Sequence, residues 1–163
     1  MKQYISGDKL YLWGKPYTLK LSDAGDYNIH MTQDEIILGV GENDTYNKRI
    51  KALNRFYSSE LYAMVSILIE PCVKRVGVEL ESWAVCNNLN SYWGICWPKK
   101  KHIELSLHLA KLPLEWLEAV IIHELVHIII SGHSDRFYDR CEKYFPNYRK
   151  IDAMIDSKAD FYM

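Results

Sequence analysis

The chain has 163 residues, 48% of them hydrophobic and 25% charged, which is the composition of an ordinary globular protein with one core. Its 20 basic and 21 acidic side chains leave a net charge of −1, so no overall field attracts nucleic acid or anionic lipid. No segment approaches the roughly 20 apolar residues of a membrane span, and the first residues lack the apolar stretch of a signal peptide. We therefore expect a cytoplasmic, single-domain protein with no membrane partner, in which the 4 cysteines are reduced.

Residues 1–44 form a strand-rich part of the chain. Apolar and polar side chains alternate from Leu10 to Leu21 around a Gly-Lys-Pro turn, which predicts a first hairpin. The segments Tyr27–Met31 and Glu35–Val40 flank a polar turn and predict a second hairpin. A small antiparallel sheet is the simplest arrangement of these strands.

Residues 45–70 have the periodicity of one long amphipathic helix. Apolar side chains recur at helical spacing at Ile50, Leu53, Tyr57, Leu61 and Leu68. Pro71 is expected to end this helix, since proline has no amide hydrogen to donate. Basic residues cluster near its start and are expected to form a solvated face rather than a phosphate site: Lys48, Arg49, Lys51 and Arg55.

Residues 80–163 are predicted to carry the chemistry. Three strands are expected there: Ser82–Cys86, Tyr92–Trp97 and His102–Leu107. An Asn-rich turn at residues 87–90 joins the first two strands, and an exposed lysine-rich turn, Lys99–Lys101, precedes the third. A strand close before the next helix is a candidate for the edge of a cleft, with Trp93 and Trp97 as candidate lining residues.

A His-Glu-x-x-His motif lies on the next predicted helix, which begins near Pro113 and is apolar on nearly every side. Such a helix is buried, and buried imidazole and carboxylate groups need polar partners. His123 and His127 stand four residues apart on one helix face, where both can bind a single Zn²⁺. Glu124 lies beside them and is the expected general base.

The third zinc ligand is expected to be His133. On a continuous helix, its side chain would lie about 9 Å further along the axis and point away from His127. The Ser131-Gly132 pair resolves this difficulty, because glycine readily adopts the left-handed conformation that ends a helix and reverses the chain. Ser134 is then the expected N-cap of a further helix, which runs from about Asp135 to Tyr144.

These groups together predict hydrolysis at a metal centre. Zinc lowers the pKa of a bound water and polarises a carbonyl, while Glu124 takes the proton of that water and passes it to the leaving amine. The oxyanion needs one further hydrogen-bond donor, for which the sequence leaves four candidates open: Tyr92, Arg136, Tyr138 and His108.

Several segments of the chain together resemble those of one known family. They are the motif at residues 123–127, the His133-Ser134 and Phe137-Tyr138 pairs after it and, more weakly, residues 11–17. These segments resemble the YgjP-like zinc metallopeptidases, which are related to SprT-like and Wss1-like proteins. The segment Tyr92-Trp93-Gly94-Ile95-Cys96 is similar to an Arg-Trp-Gly-Ser-Cys segment of that family, with tyrosine and isoleucine in place of arginine and serine. The resemblance implies a gluzincin-like α+β fold with the three histidines on zinc.

The histidine spacing also fits the metzincin pattern, HExxHxxGxxH. That pattern has glycine where this chain has Ile130, and the nearest glycine is Gly132. The metzincin assignment is therefore the weaker one.

The sequence thus predicts one α+β domain over residues 1–163, with small antiparallel sheets, a long helix, a central HExxH helix and C-terminal helices. We expect a zinc metallopeptidase that cleaves peptide bonds with a zinc-bound water activated by Glu124. Two alternatives remain: a metal-dependent hydrolase of non-peptide amides, and a non-catalytic zinc module that binds a protein or nucleic acid. The Glu124 carboxylate argues against a non-catalytic site, and the near-neutral charge argues against strong nucleic-acid binding.

Overall fold

Two small sheets and four α-helices make up the computed structural model, which describes residues 3–89 and 92–163. The N-terminal sheet contains β1 (Lys9–Leu12), β2 (Lys15–Ser22), β3 (Ile29–Met31) and β4 (Glu35–Gly39). The second sheet contains β5 (Ser82–Cys86), β6 (Gly94–Trp97) and β7 (His102–Ser106). The helices are α1 (Tyr46–Val76), α2 (Leu114–His127), α3 (Asp135–Tyr144) and α4 (Tyr148–Tyr162). The predicted α+β fold is confirmed.

Both predicted N-terminal hairpins are present, but the sheet that they form is mixed rather than wholly antiparallel. Strand β2 pairs antiparallel with β1 and parallel with β4, and the strand order is β1-β2-β4-β3. Successive side chains of β4 point to opposite faces of the sheet, and those on one face, Ile36 and Leu38, are fully buried in the core. This burial explains the strand order. The strand therefore takes an inner position, where Ile36 lies beside the equally buried Leu19 of β2.

Helix α1 continues past Pro71, so the prediction that this proline ends the helix is wrong. The helix ends at Val76, and Gly77 caps it in a left-handed conformation with φ of 74°, donating its amide hydrogen to the carbonyl of Val73. An interior proline costs a helix about 3 kcal/mol. Cys72 and Val76 are buried beyond the proline, and the burial of two such side chains offsets a cost of this size.

Two of the basic side chains near the start of α1 hold the helix to the N-terminal segment. Arg49 donates a hydrogen bond to the carbonyl of Tyr4 and forms an ion pair with Asp44 at 3.0 Å. Arg55 donates a hydrogen bond to the carbonyl of Tyr27 at 2.8 Å. The prediction of a solvated basic face is therefore only partly correct, because these guanidinium groups satisfy backbone carbonyls of the strand-rich part.

The second sheet has β7 at its centre, in the order β5-β7-β6. Strand β5 pairs with β7 in parallel and β6 pairs with it antiparallel, so β5 and β6 are not hairpin partners. Residue 90 of the predicted Asn-rich turn lies outside the described residues. Ile103 and Leu105 of β7 are fully buried, which accounts for the central place of this strand. Within the described residues, β6 pairs with β7 alone and has one free edge.

Helix α2 lies at the centre of the core, as its apolar composition predicted. Nine of its 14 residues are buried, among them the acidic Glu124. The helix packs against α1, α3, α4 and β6, which brings the His-Glu-x-x-His motif close to residues from several parts of the chain. Among the described residues, none of the helices has both the length and the apolar character that crossing a membrane requires.

Candidate metal centre

Three imidazole rings meet on one side of α2. The Nε2 atoms of His123 and His127 lie 3.0 Å apart, because the two residues are one turn apart on the same helix face. His133 comes from the segment after the helix, and its Nε2 atom lies 3.1 Å from each of the other two. Within the described part of the chain, this is the one cluster of potential metal ligands that lies so close together.

The chain reversal that carries His133 begins earlier than predicted. Helix α2 already ends at His127, and a turn separates it from Gly132. Gly132 does adopt the expected left-handed conformation, with φ of 74°. Ser134 then caps α3 as predicted, and its side-chain oxygen accepts a hydrogen bond from an amide of the first turn.

The Nδ1 atoms of the two helical histidines have different partners. His127 Nδ1 donates a hydrogen bond to the carbonyl of Ile130 at 3.0 Å, a contact made possible by the turn after α2. His123 Nδ1 lies 2.5 Å from the Tyr148 hydroxyl oxygen, and this hydroxyl donates to Asp152 at 3.0 Å. Both histidines therefore carry their hydrogen on Nδ1, which leaves a bare Nε2 on each ring.

This hydrogen bonding tests whether the histidines suit a metal ion. Two bare imidazole nitrogens repel one another at 3.0 Å unless a cation lies between them. Tetrahedral zinc forms Zn–N bonds of about 2.0–2.1 Å, which place two ligand nitrogens about 3.3 Å apart. The separations of 3.0 and 3.1 Å between the three Nε2 atoms are close to this value. The cluster therefore fits an ion of the size of zinc.

Burial keeps the helical imidazoles in the neutral form that binds metals. Burial, and then the neighbouring His127 and His133 rings, lowers the pKa of His123 to about 3. Burial likewise lowers the pKa of His127. The fully buried Phe137 ring contributes to this environment, because it stacks on His127 at a centroid distance of 4.4 Å and packs edge-on against His123.

Glu124 is buried between α2 and β6. Only 5% of its surface is exposed, and burial raises the pKa of its carboxyl to about 8. The backbone of Gly94 approaches so closely that an added Cβ would lie 2.6 Å from Glu124 Oε1. A side chain at position 94 would displace the carboxylate, so the glycine lets β6 approach α2 this closely without moving Glu124.

A cleft of about 230 Å³ opens beside His123, Glu124 and His133. Its lining includes Tyr92 and Trp93, which precede β6, and Asp152 and Ile155 of α4. The prediction of aromatic cleft residues is therefore confirmed for Trp93. It is wrong for Trp97, which lies outside this lining with 45% of its surface exposed.

The four candidate oxyanion donors occupy different places. Tyr92 lines the cleft and is 65% exposed, whereas His108 lines an adjoining cavity of about 320 Å³. Arg136 lines a separate cavity on the surface of α3. Tyr138 packs its ring against Phe137 at 5.5 Å, and its ring centroid lies 6.3 Å from that of His133. Of the four residues, Tyr92 is the one that lines the cleft beside His123 and Glu124.

The sequence predictions missed two residues of α4 near the histidines: Tyr148, which contacts His123, and Asp152, which contacts Tyr148. A signal for them exists in the sequence, because the two stand four residues apart on a helix whose Ile151 and Ile155 are buried. A polar pair at that spacing next to a buried helix face indicates a polar partner in the core. Which partner they meet depends on how α4 packs against α2.

Comparison with known proteins identifies one family. The model of the YgjP-like family, which describes a metallopeptidase domain, matches residues 1–158. This span contains the three histidines, Glu124 and the α4 residues of the cleft. A search of curated proteins and a search of solved structures each return no significant match. The chain therefore belongs to the YgjP-like family, as the sequence resemblance indicated, and carries a metallopeptidase domain.

Proposed function

We propose that the protein is a zinc-dependent metallopeptidase that hydrolyses peptide bonds. The observation that carries this proposal is the convergence of three Nε2 atoms, 3.0 and 3.1 Å apart, beside the buried Glu124 carboxylate. Three imidazole ligands leave one tetrahedral position open, which is typical of catalytic rather than structural zinc. The match to a metallopeptidase domain supports the same activity.

The proposed ligands are His123, His127 and His133, and the proposed base is Glu124. Zinc bound there would supply a Lewis acid that polarises the scissile carbonyl and makes water more acidic. A positive charge close by favours the ionised form of Glu124 and counteracts the effect of burial on this carboxyl. The ionised Glu124 would accept a proton from the attacking water and pass it to the amine that leaves.

Tyr92 is the proposed donor to the oxyanion. Its side chain lines the cleft and is 65% exposed, so it can turn toward a substrate without disturbing the core. A phenol hydroxyl donates one hydrogen bond, which is the contribution that a tetrahedral oxyanion needs beyond the metal ion.

The free edge of β6 supports a peptide as the substrate. Within the described residues β6 pairs only with β7, and its first residue, Gly94, lines the cleft. An extended peptide can add to such an edge through main-chain hydrogen bonds, which recognise a polypeptide largely independently of its sequence. This feature favours a peptide over the non-peptide amides that the sequence alone left open.

The non-catalytic alternative, with a protein or nucleic-acid partner, has less support. A structural zinc site needs no carboxylate beside it. Burial of the Glu124 carboxyl group lowers the stability of the fold, and a catalytic role would explain why this group is there. In the basic turn Lys99–Lys101, the Lys101 ammonium group forms an ion pair with Glu79. The proposed partner is therefore a protein or peptide substrate.

Removal and restoration of the metal test the proposal. Purified protein is incubated with a mixture of short peptides, first as isolated, then after chelation and dialysis, and then with added Zn²⁺. We expect cleavage to stop on chelation and to return with about one equivalent of Zn²⁺. Mass spectrometry of the products separates main-chain cleavage from hydrolysis of side-chain amides. Main-chain cleavage that persists in metal-free protein would contradict the proposal.

A further inference from the structure

We infer that Tyr148 and Asp152 are positioning residues for the metal centre, which orient His123 and increase its basicity as a ligand. The inference rests on the proposed function, since it requires that His123 bind a metal ion. Both residues would act through His123 rather than on the reacting atoms of the substrate.

Hydrogen bonds connect α2 to α4 through these three side chains. His123 Nδ1 lies 2.5 Å from Tyr148 Oη, and Tyr148 Oη lies 3.0 Å from Asp152 Oδ1. An ionised carboxylate only accepts hydrogen bonds, so the tyrosine hydroxyl directs its hydrogen to Asp152. The hydroxyl oxygen then accepts the hydrogen on Nδ1. The lone pair of His123 is thereby placed on Nε2, the atom that faces the other two histidines.

Burial makes Tyr148 a rigid partner for His123. Its side chain is 1% exposed, and its ring centroid lies 6.1 Å from that of His123. Tyr148 and Asp152 are one turn apart on α4, so the helix itself fixes their separation. A buried hydroxyl needs hydrogen-bond partners, and the imidazole and the carboxylate supply them. The pair thus restricts His123 to one tautomer and one ring orientation.

Of the two helical histidines, His123 is the one whose Nδ1 hydrogen bond is made to a side chain. His127 Nδ1 bonds instead to the main-chain carbonyl of Ile130, which no side-chain substitution removes. A carboxylate connected to a ligating imidazole makes that imidazole more basic, and loss of such a partner typically lowers metal affinity about 10–100-fold. Helix α4 would therefore take part in metal binding although it supplies no ligand.

The test compares Zn²⁺ affinity among variants of this pair. Tyr148→Phe keeps the buried ring and removes the hydroxyl group. Asp152→Ala removes the carboxylate, whereas Asp152→Asn keeps a hydrogen-bond acceptor and removes the charge. Asp160→Asn is the matched control, because Asp160 is an exposed residue of α4 that lies outside the lining of the cleft and is not the carboxylate that Tyr148 contacts.

Two measurements of metal binding and one check of folding are made on each variant. Competition with a chromophoric chelator gives the Zn²⁺ affinity, and the absorption spectrum of the Co²⁺-loaded protein reports the geometry of the ligands. Thermal unfolding of the metal-free proteins checks that each variant is folded. Peptide cleavage does not enter any of these measurements.

We expect Tyr148→Phe and Asp152→Ala to bind Zn²⁺ about 10–100-fold more weakly than wild type and to have altered Co²⁺ spectra. The Zn²⁺ affinity of Asp152→Asn should lie between those of these variants and wild type, because asparagine keeps the hydrogen-bond acceptor. Asp160→Asn should bind Zn²⁺ within about twofold of wild type, since solvent and salt screen an exposed charge. A folded Tyr148→Phe with the affinity and spectrum of Asp160→Asn would overturn the inference. If Tyr148→Phe does not fold, the same result for Asp152→Ala overturns it.

The outcomes also separate this inference from the proposed function. Weaker Zn²⁺ binding by Tyr148→Phe, together with no peptide cleavage by wild type, would support the positioning pair and contradict the peptidase proposal. Zinc-dependent cleavage by wild type, together with unchanged Zn²⁺ affinity in folded Tyr148→Phe, would support the peptidase proposal and overturn the inference.

Discussion

The backbone of Gly94 lies against the carboxylate of Glu124, so closely that a Cβ on Gly94 would be 2.6 Å from Oε1 and 2.8 Å from Cγ. This contact joins the edge strand β6 to the motif helix α2 at the metal centre. It places the proposed base directly beside the proposed peptide-binding edge. A peptide paired with β6 would therefore pass next to Glu124.

Gly94→Ala is expected to lower kcat/KM on the order of 10²-fold while zinc binding is retained. The new methyl group displaces Glu124, and a shift of about 1 Å in a catalytic group has an effect of this size. Peptide-cleavage kinetics and metal analysis check this expectation. Gly41→Ala is the control, since an added Cβ there meets no atom closer than 3.8 Å. Wild-type kinetics in Gly94→Ala would mean that the contact does not position the base.

His133→Ala removes a direct metal ligand. Loss of a side chain that only hydrogen-bonds to a ligand lowers metal affinity roughly 10–100-fold, so we expect His133→Ala to weaken Zn²⁺ binding by more than this. His133 is exposed, so the free energy of unfolding of the metal-free protein should change by less than about 0.5 kcal/mol. Chelator competition and urea unfolding measure the two quantities. The exposed His30, outside the cluster, provides the control variant His30→Ala. An unchanged affinity would place the third ligand elsewhere.

Tyr92→Phe is expected to lower kcat on the order of 10²-fold with little change in KM, because it removes a hydrogen bond that forms only when charge develops on the oxyanion. Steady-state kinetics with one peptide substrate check this split. Tyr62→Phe is a suitable control, since Tyr62 is 59% exposed and lies on α1. A Tyr92→Phe variant with the wild-type kcat would remove Tyr92 as the oxyanion donor.

His108 should make the stability of the metal-free protein sensitive to acid. Burial, with a contribution from the Lys111 charge, lowers the pKa of His108 from 6.5 to about 4. As the pH falls, the unfolded chain takes up this proton before the folded protein does, so protonation favours unfolding. The contribution of neutral His108 to the free energy of unfolding is therefore fully present above about pH 6.5 and is lost as the pH falls toward 4.

His108→Gln is expected to reduce the pH dependence of the urea midpoint between about pH 6.5 and pH 4. Other groups contribute to the slope that remains: the lowered pKa values of His123 and His127 act in the same direction as that of His108, whereas the raised pKa of Glu124 acts in the opposite direction. The measurement is a series of urea unfolding curves of metal-free protein at several pH values. If the urea midpoint depends on pH equally in wild type and His108→Gln, His108 is not the source of the acid sensitivity.

Several features of the site were predictable because they depend on short-range geometry. The four-residue spacing places His123 and His127 on one helix face whatever the rest of the chain does. Ser134 is a favourable N-cap, and α3 has the predicted bounds, Asp135–Tyr144. Gly132 takes the left-handed conformation that few other residues tolerate.

Other features depend on contacts between distant parts of the chain, which local patterns do not encode. Tyr148 meets His123 across 25 positions of sequence, through the packing of α4 on α2. Strand β7 lies between β5 and β6 because its side chains are the most deeply buried of the sheet, and a strand pattern alone does not give this order. Pro71 is tolerated within α1 because the residues after it are buried.

Zinc content and peptide cleavage, measured on the same preparations of wild type and Glu124→Gln, test whether three histidines and Glu124 form a hydrolytic zinc centre. Glutamine keeps the size of the side chain and cannot accept the proton from water. We predict about one zinc ion per chain in both proteins and a loss of cleavage of at least about 10²-fold in Glu124→Gln. A Glu124→Gln protein that holds zinc and cleaves peptides at the wild-type rate would contradict this prediction.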